Sequence, residues 1–157
     1  MNYIGLRKNN LSVENVSILK LVKKHKTPFY CYSSSQLKKN FYDFKNTFKT
    51  INPLICFSVK SNANTTILRE LKKLGSGADV VSIGELLKAK KAGIPSNKIV
   101  FSGIGKTEDE IIAAIKKRVL LINIESENEA TLINRVSQKM SKKISVGIRL
   151  NPNITGK

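Results

Sequence analysis

The chain has 157 residues, 41% of them hydrophobic and 25% charged, which is typical of a globular protein. It contains no run of about 18 apolar residues that could span a bilayer, and its N-terminal residues lack the apolar segment of a secretory signal. One histidine and two separated cysteines cannot form a histidine-based metal site, a Ser-His-Asp triad or a disulfide framework from this chain alone. We therefore expect a cytoplasmic protein with no metal and no membrane segment.

The net charge of +17 comes mostly from lysine. Proteins that bind nucleic acids specifically usually concentrate Lys and Arg on one face and combine them with aromatic stacking residues. Here the lysines are scattered over the helical segments and tryptophan is absent. We therefore expect no specific nucleic-acid partner, although a basic module with non-specific phosphate affinity stays open as an alternative.

The first predicted elements precede the repeating part of the chain. Apolar residues at helical intervals predict a short helix over residues 13–24, which ends before Pro28. The segment PFYCYS, residues 28–33, predicts a strand. Residues 36–50 predict a second helix, because apolar side chains recur at intervals of three and four residues.

From residue 53 onward, apolar strand-like runs alternate with helical segments at intervals of about 20 to 25 residues. Nearly continuous apolar strands are typical of a parallel sheet that is buried on both faces. Thr107 is a predicted helix N-cap, and Ser126 with Glu129 has the spacing of a capping box. The predicted strands are PLICFSV, ADVVS, KIVFSG, VLLINIE and KISVGIRLN, and the helices between them are TTILRELKKLG, IGELLKAKKAG, TEDEIIAAIKKR and SENEATLINRVSQKM.

Two architectures have this alternation, a doubly wound open sheet and a (β/α)₈ barrel. No G-x-G-x-x-G follows the first strand, which argues against a dinucleotide-binding sheet, and FSGIGK is interpreted as a strand-to-helix turn. About five predicted strands cannot close a barrel of eight. The barrel interpretation therefore implies the first part of a longer protein.

Polar residues follow the predicted strands, and in a parallel barrel these strand ends meet at the rim that carries catalytic residues. Lys60 ends the first strand of the repeat. It is either a solvated lysine or a partly desolvated nucleophile that can condense with an aldehyde such as pyridoxal phosphate.

Three further charged residues belong to the predicted strands. Asp79 lies in the apolar run ADVV and needs a cation or a hydrogen-bond donor, with a neighbouring lysine or a backbone cap as open alternatives. Arg149 needs an acceptor, which a barrel-lining Asp, a cofactor or a plain ion pair could supply. Glu125 is interpreted as a capping or bridging residue at its strand end.

Several segments resemble one family when they are taken in order. CFSVKSNANTTILRELKKLGSGADVVSIGEL closely resembles the cofactor-lysine region of the alanine-racemase-like, pyridoxal-phosphate-dependent decarboxylases. IPSNKIVFSGIGKTEDEI, INIESENE and IRLNPNITGK resemble successive later stretches of that family, and TPFYCYSSSQL resembles the segment before its barrel. GADVVSIGEL and FSGIGKTEDE are more similar to the branch that acts on diaminopimelate than to the ornithine and arginine branches.

The resemblance implies a partial TIM barrel of the alanine-racemase type, with about five of its eight strands. Residues 1–35 would supply a helix and a strand before the barrel, residues 36–157 its first part, and the C-terminal β domain would be absent. Lys60 would carry pyridoxal 5'-phosphate as a Schiff base, and Asp79 and Arg149 would lie in the cofactor site. The implied reaction is decarboxylation of meso-diaminopimelate to L-lysine, in a homodimer.

The same resemblance places other family features beyond residue 157, namely a histidine that stacks on the cofactor, a glycine-rich phosphate loop, a glutamate facing the pyridine nitrogen and a cysteine from a dimer partner. Two alternatives therefore stay open beside an N-terminal fragment of the enzyme. One is an inactive remnant of such a decarboxylase, and the other is a fragment of a related ornithine- or arginine-type enzyme.

Overall fold

The computed structural model describes residues 3–7, 9–152 and 154. The last residues of the motif IRLNPNITGK, at 153 and 155–157, lie outside the described residues. The chain divides into two compact units between Pro53 and Leu54. Within the described ranges, no helix is both long enough and apolar enough to cross a membrane.

Unit 1, residues 1–53, contains a small antiparallel sheet in the order β1-β2-β3, followed by two helices. The second helix confirms the one predicted over 36–50, and Ser33 caps its start by accepting a hydrogen bond from the Gln36 N–H at 3.0 Å. The elements are β1 Ile4–Arg7, β2 Asn10–Val13, β3 Val16–Ser17, α1 Ile18–Lys24 and α2 Ser34–Thr47.

The helix predicted over residues 13–24 is wrong in its first part. Val13 pairs with Val16 in the antiparallel sheet, and the helix begins only at Ile18. Glu14, between the paired residues, has a φ of 55°, a left-handed conformation that a right-handed helix excludes. The two β-branched valines fit the strands better than a helix.

The strand predicted over residues 28–33 is also wrong. Residues 29–33 are described as irregular backbone, and the side chains of Tyr30 and Tyr32 are exposed. A strand requires a neighbouring strand for its backbone hydrogen bonds, and the described sheet of unit 1 ends at Ser17. The aromatic composition of the segment alone could not supply that partner.

Unit 2, residues 54–157, contains a five-stranded parallel sheet in the order β4-β5-β6-β7-β8, with a helix between each pair of successive strands. This confirms the predicted alternation of strands and helices. The strands are β4 Cys56–Ser58, β5 Gly77–Val80, β6 Ile99–Phe101, β7 Leu121–Ile124 and β8 Val146–Ile148. The helices are α3 Thr65–Lys73, α4 Ile83–Lys91, α5 Glu108–Lys117 and α6 Glu127–Lys139.

The core of unit 2 is formed by buried side chains from the sheet and from all four helices. Burial of one such aliphatic or aromatic side chain contributes about 1.5–3 kcal/mol. Because the core fixes the sheet, it also fixes where each strand ends. Its members include Leu68, Val80, Leu86, Phe101, Ile111, Ile122 and Ile133.

The helix starts follow the predicted caps in part. Thr107 and Glu110 form a complete capping box at the start of α5. Ser126 accepts a hydrogen bond from the Glu129 N–H at 3.3 Å, as predicted for α6. The Glu129 carboxylate, however, accepts from the Glu125 N–H at 2.8 Å and contacts a buried lysine, so the reciprocal half of that box is not formed with Ser126.

Candidate functional site

Lys60 lies immediately after β4, in a single 3₁₀ turn over Val59–Ser61. Val59 is fully buried and anchors the turn to the core, whereas the Lys60 side chain is exposed. The Lys60 ammonium makes no hydrogen bond or ion pair with any described residue. The side chain is solvated, as in the first of the two predicted alternatives, and its amine is open to a ligand because no described residue engages it.

Asp79 is half-buried in β5, opposite Ser58 of β4. Its Oδ1 accepts a hydrogen bond from Ser102 Oγ at 2.5 Å, and its Oδ2 accepts one from Ser58 Oγ at 3.4 Å. The donor that we expected is present, but it is a pair of hydroxyls rather than a neighbouring lysine or a backbone cap. Both donors are neutral hydroxyls, and none of the described hydrogen bonds of Asp79 comes from a cation.

A polar chain continues from Asp79 across the sheet. Asn123 Nδ2 of β7 donates to Ser102 Oγ at 2.9 Å, so hydrogen bonds connect residues of four neighbouring strands or strand ends. On the far side, a Cβ at Gly147 would lie 2.4 Å from Asn123 Oδ1, so only glycine leaves room for this amide. The sequence did not lead us to predict this polar chain of hydrogen bonds, although polar residues inside apolar strand runs could have indicated it.

Arg149 follows β8 and forms an ion pair with Glu125, with Nη1 at 3.0 Å from Oε2. The other carboxylate oxygen of Glu125 accepts from the Gly103 N–H at 3.1 Å. Glu125 therefore bridges two strand ends, which confirms its predicted role. For Arg149, the structure realises the ion-pair alternative.

The three predicted site residues are not joined by direct bonds. Lys60 has no described partner, Asp79 is bonded to serine hydroxyls, and Arg149 is bonded to Glu125. The Asp79 and Arg149 clusters are nevertheless adjacent, because consecutive residues at the end of β6, Ser102 and Gly103, contact one cluster each. The carboxyl ends of the parallel strands thus bring together polar groups that are far apart in sequence.

A second lysine at this edge, Lys106, has the opposite character. Its side chain is 1% exposed, and its Nζ contacts Gly103 O at 2.6 Å, Asn123 O at 2.7 Å and Glu129 Oε1 at 3.1 Å. All three ammonium protons have acceptors, so Lys106 is structural. The sequence interpretation of FSGIGK as a plain turn missed this buried ion pair.

The Cys56 thiol lies in an environment that disfavours its ionisation. Burial raises the pKa of the Cys56 thiol, and the nearby charge of Asp79 raises it further. A raised thiol pKa lowers the fraction of nucleophilic thiolate. Cys56 is therefore not a candidate nucleophile, and among the described residues no group of His, Cys, Asp and Glu could hold a metal ion.

An open groove of about 570 Å³ lies elsewhere, between α6 and β8. Its lining includes Ile133, Ile144, Lys142 and Lys143, but no carboxylate and none of the predicted site residues. Reactive sites usually combine a concave surface with convergent polar groups. The convergent groups are at the strand ends, and we therefore place the candidate site there.

The fold, together with a strand-end lysine side chain that no described residue engages, defines a β/α protein suited to an aldehyde cofactor. The model of the family "Pyridoxal-dependent decarboxylase, pyridoxal binding domain" matches residues 34–157. The chain belongs to this family, whose cofactor is pyridoxal phosphate. The Lys60 amine has no partner among the described residues, and Asp79 Oδ2 is only weakly bonded by Ser58, which lies two residues before Lys60; both features fit such a group.

Individual relatives agree with the family. The chain is 41% identical over 155 residues to the diaminopimelate decarboxylase of Aquifex aeolicus, covering 99% of this chain and 36% of that protein. It is 47% identical over 137 residues to the Helicobacter pylori enzyme of the same name, covering 87% and 34%. The chain thus spans only about a third of the length of these relatives.

Solved structures show the same fold. Diaminopimelate decarboxylase from M. jannaschii, in a complex with L-lysine, has a TM-score of 0.93 at 35% identity, with 98% of this chain and 37% of that chain covered. The H. pylori enzyme complexed with L-lysine has a TM-score of 0.85 at 45% identity, with 88% and 35% covered. The predicted fold, the first part of a TIM-barrel-like decarboxylase, is confirmed.

Proposed function

We propose that this chain forms the N-terminal part of a decarboxylase that converts meso-diaminopimelate to L-lysine with pyridoxal 5'-phosphate. The observation that carries the proposal is the Lys60 amine at the carboxyl end of β4, which no described residue engages, in a chain of the pyridoxal-dependent family. Relatives above 40% identity are named for this reaction, and two solved relatives bind L-lysine, its product.

Each site residue of this chain would have its own role at the strand ends. Lys60 would hold the cofactor through its amine, and Asp79 and Arg149 would line the same site. When bound, pyridoxal phosphate supplies an electron sink for the substrate α-carbon as carboxylate leaves as CO₂. Glu125 would keep the Arg149 guanidinium in place through the ion pair of 3.0 Å.

The proposal also specifies the substrate, the location, the oligomeric state and the domain arrangement. The substrate would be a small amino acid, the whole enzyme a cytoplasmic homodimer, and residues 36–157 the first part of its cofactor-binding barrel. An ornithine- or arginine-type specificity is less well supported, because the solved arginine decarboxylase neighbour is only 20% identical and indicates the fold alone.

The test begins with the 157-residue chain and added pyridoxal phosphate. Borohydride reduction traps the cofactor on the lysine that holds it, and peptide mass spectrometry identifies that lysine. We expect one dominant label at Lys60 that disappears in Lys60→Ala, while the exposed-lysine control Lys139→Ala keeps it. Equal labelling of scattered surface lysines, unchanged in Lys60→Ala, would contradict the proposal.

Release of CO₂ from carboxyl-labelled substrates then separates the alternatives. Turnover of meso-diaminopimelate but not of ornithine or arginine supports the proposed specificity. Labelling at Lys60 without turnover by the 157-residue chain is expected both of an N-terminal part and of a remnant. Turnover measured on the whole protein separates these two. Salt-sensitive binding to DNA without labelling at Lys60 would instead favour the basic-module alternative.

A further inference from the structure

The hydrogen bonds between Asn123, Ser102 and Asp79 have one direction. The Asn123 Nδ2 group can only donate, so Ser102 Oγ accepts at 2.9 Å. The single hydroxyl proton of Ser102 is then free for one acceptor, and it is directed to Asp79 Oδ1 at 2.5 Å. The amide thus orients the hydroxyl, and the hydroxyl orients the carboxylate.

The two oxygens of Asp79 are held very differently. Oδ1 has the short contact with Ser102, whereas Oδ2 has a contact of 3.4 Å with Ser58, at the weak end of hydrogen bonding. Bonds from a hydroxyl to a carboxylate are strongest near the shorter of these distances. Oδ1 is therefore engaged by the protein, and Oδ2 retains capacity to accept from a ligand.

The position of Oδ2 is suited to the site of Lys60. Ser58, which contacts Oδ2, precedes Lys60 by two residues in the same strand-turn segment. Ser102, which contacts Oδ1, directly follows β6, the strand on the other side of β5. The loosely held oxygen is thus the one bonded from the strand that leads into Lys60.

Gly147 maintains the far end of this arrangement. Its Cα is paired with Asn123 across β7 and β8, and any Cβ there would lie 2.4 Å from Asn123 Oδ1. A side chain at this position would force the amide to move. The absence of a side chain at Gly147 therefore keeps Asn123 within reach of Ser102.

We propose that Ser102 and Asn123 are positioning residues that fix the Asp79 carboxylate, holding Oδ1 and leaving Oδ2 to a group bound at Lys60. The identity of that group, pyridoxal phosphate, rests on the proposed function, but the orientation of Asp79 does not.

The first experiment needs no cofactor. NMR of the isotope-labelled 157-residue chain reports the Asp79 carboxyl ¹³C shift and the Asn123 side-chain amide signals. Ser102→Ala removes both hydrogen bonds and should move both sets of signals, while Ser102→Thr keeps the hydroxyl and should restore them. The matched control Ser58→Ala removes only the 3.4 Å contact and should leave the Asn123 amide unchanged. The backbone amide spectrum verifies that each variant is folded.

The second experiment measures the link to Lys60. The apparent affinity for pyridoxal phosphate, followed by borohydride trapping at Lys60, should fall about tenfold in Ser102→Ala and in Asn123→Ala, the effect of one charge-assisted hydrogen bond. It should fall less than about threefold in Ser58→Ala, where a weaker bond is lost. Ser102→Thr should recover the wild-type affinity.

The outcomes separate the two proposals. Unchanged Asn123 amide signals in Ser102→Ala overturn the positioning of Asp79, whatever the cofactor does. Shifted signals with wild-type trapping in both Ser102→Ala and Asn123→Ala overturn its link to Lys60 and leave the proposed function intact. If the signals shift in Ser102→Ala but pyridoxal phosphate is never trapped at Lys60 of the wild type, the orientation of Asp79 is supported and the proposed function is overturned.

Discussion

Lys106 and Glu129 form an ion pair of 3.1 Å in which both side chains are almost completely buried. The pair joins the turn after β6 to the start of α6, and Lys106 also donates to the carbonyls of Gly103 and Asn123. Because Asn123 belongs to the polar chain and Gly103 to the Glu125 bridge, this buried pair supports both clusters of the candidate site.

We expect Lys106→Met to destabilise unit 2 strongly. Removing one partner leaves the other charge buried and unpaired, which costs about 3–5 kcal/mol. Urea unfolding measures the free energy of unfolding. The matched control Lys139→Met removes a partner from the exposed pair with Glu108 and should cost at most about 1 kcal/mol. Equal costs for the two variants would contradict the structural role of Lys106.

Replacing either of two glycines in unit 2 with alanine should change the stability of the protein, but in opposite directions. A Cβ at Gly77 in β5 would lie 2.2 Å from Lys98 O and 2.7 Å from Cys56 Sγ, so Gly77→Ala forces a backbone shift and should cost about 1–3 kcal/mol. Gly84 lies in the exposed first turn of α4 with no atom nearer than 3.8 Å, and Gly84→Ala should stabilise by up to about 1 kcal/mol. Thermal unfolding of both variants tests the difference.

The stability of unit 1 should depend on pH through the Glu14 carboxylate. The Ser35 N–H and then the Ser33 hydroxyl donate to its carboxylate and lower the pKa of Glu14 below its ordinary value of 4.5. A carboxyl whose folded pKa is depressed adds stability above its unfolded pKa and loses it as the pH falls through the folded pKa. The stabilisation is thus complete at neutral pH and declines progressively below about 4.5.

The measurement is urea unfolding of wild type and Glu14→Gln across that pH range. The wild type should be more stable at neutral pH, and the difference should shrink as the pH falls below 4.5. Asp43→Asn removes an acid from the same unit without touching Ser33 or Ser35 and serves as the control. A difference between wild type and Glu14→Gln that is constant with pH would contradict the assignment.

Cys56 should alkylate slowly at mildly alkaline pH. Burial, with a further contribution from the charge of Asp79, raises the pKa of the thiol, so little thiolate is present. Asp79→Asn removes the second contribution, and the iodoacetamide reaction of Cys56, followed by peptide mass spectrometry, should become faster. Denatured chain supplies the reference rate. A faster reaction in the folded wild type than in the denatured chain would contradict a buried Cys56 thiol with a raised pKa.

Much of the fold could be predicted because its signals are local. Apolar runs separated by amphipathic helices indicated the parallel sheet of unit 2, and Thr107 indicated the start of α5. The prediction failed over residues 13–17 and 28–33, where the outcome depends on which segments pair. Strand pairing is decided by contacts between separate segments, and composition within one segment does not contain them.

The sequence by itself determined that Lys60, Asp79 and Arg149 stand in or at the ends of three predicted strands, and it determined the family resemblance. Only the tertiary structure decided their partners, giving serine hydroxyls to Asp79, Glu125 to Arg149 and no described residue to Lys60. It also decided that Lys106 is buried while Lys60 is exposed. The physical reason is that parallel strands bring together side chains separated by some twenty residues, so each partner depends on the register of the sheet and not on the neighbouring sequence.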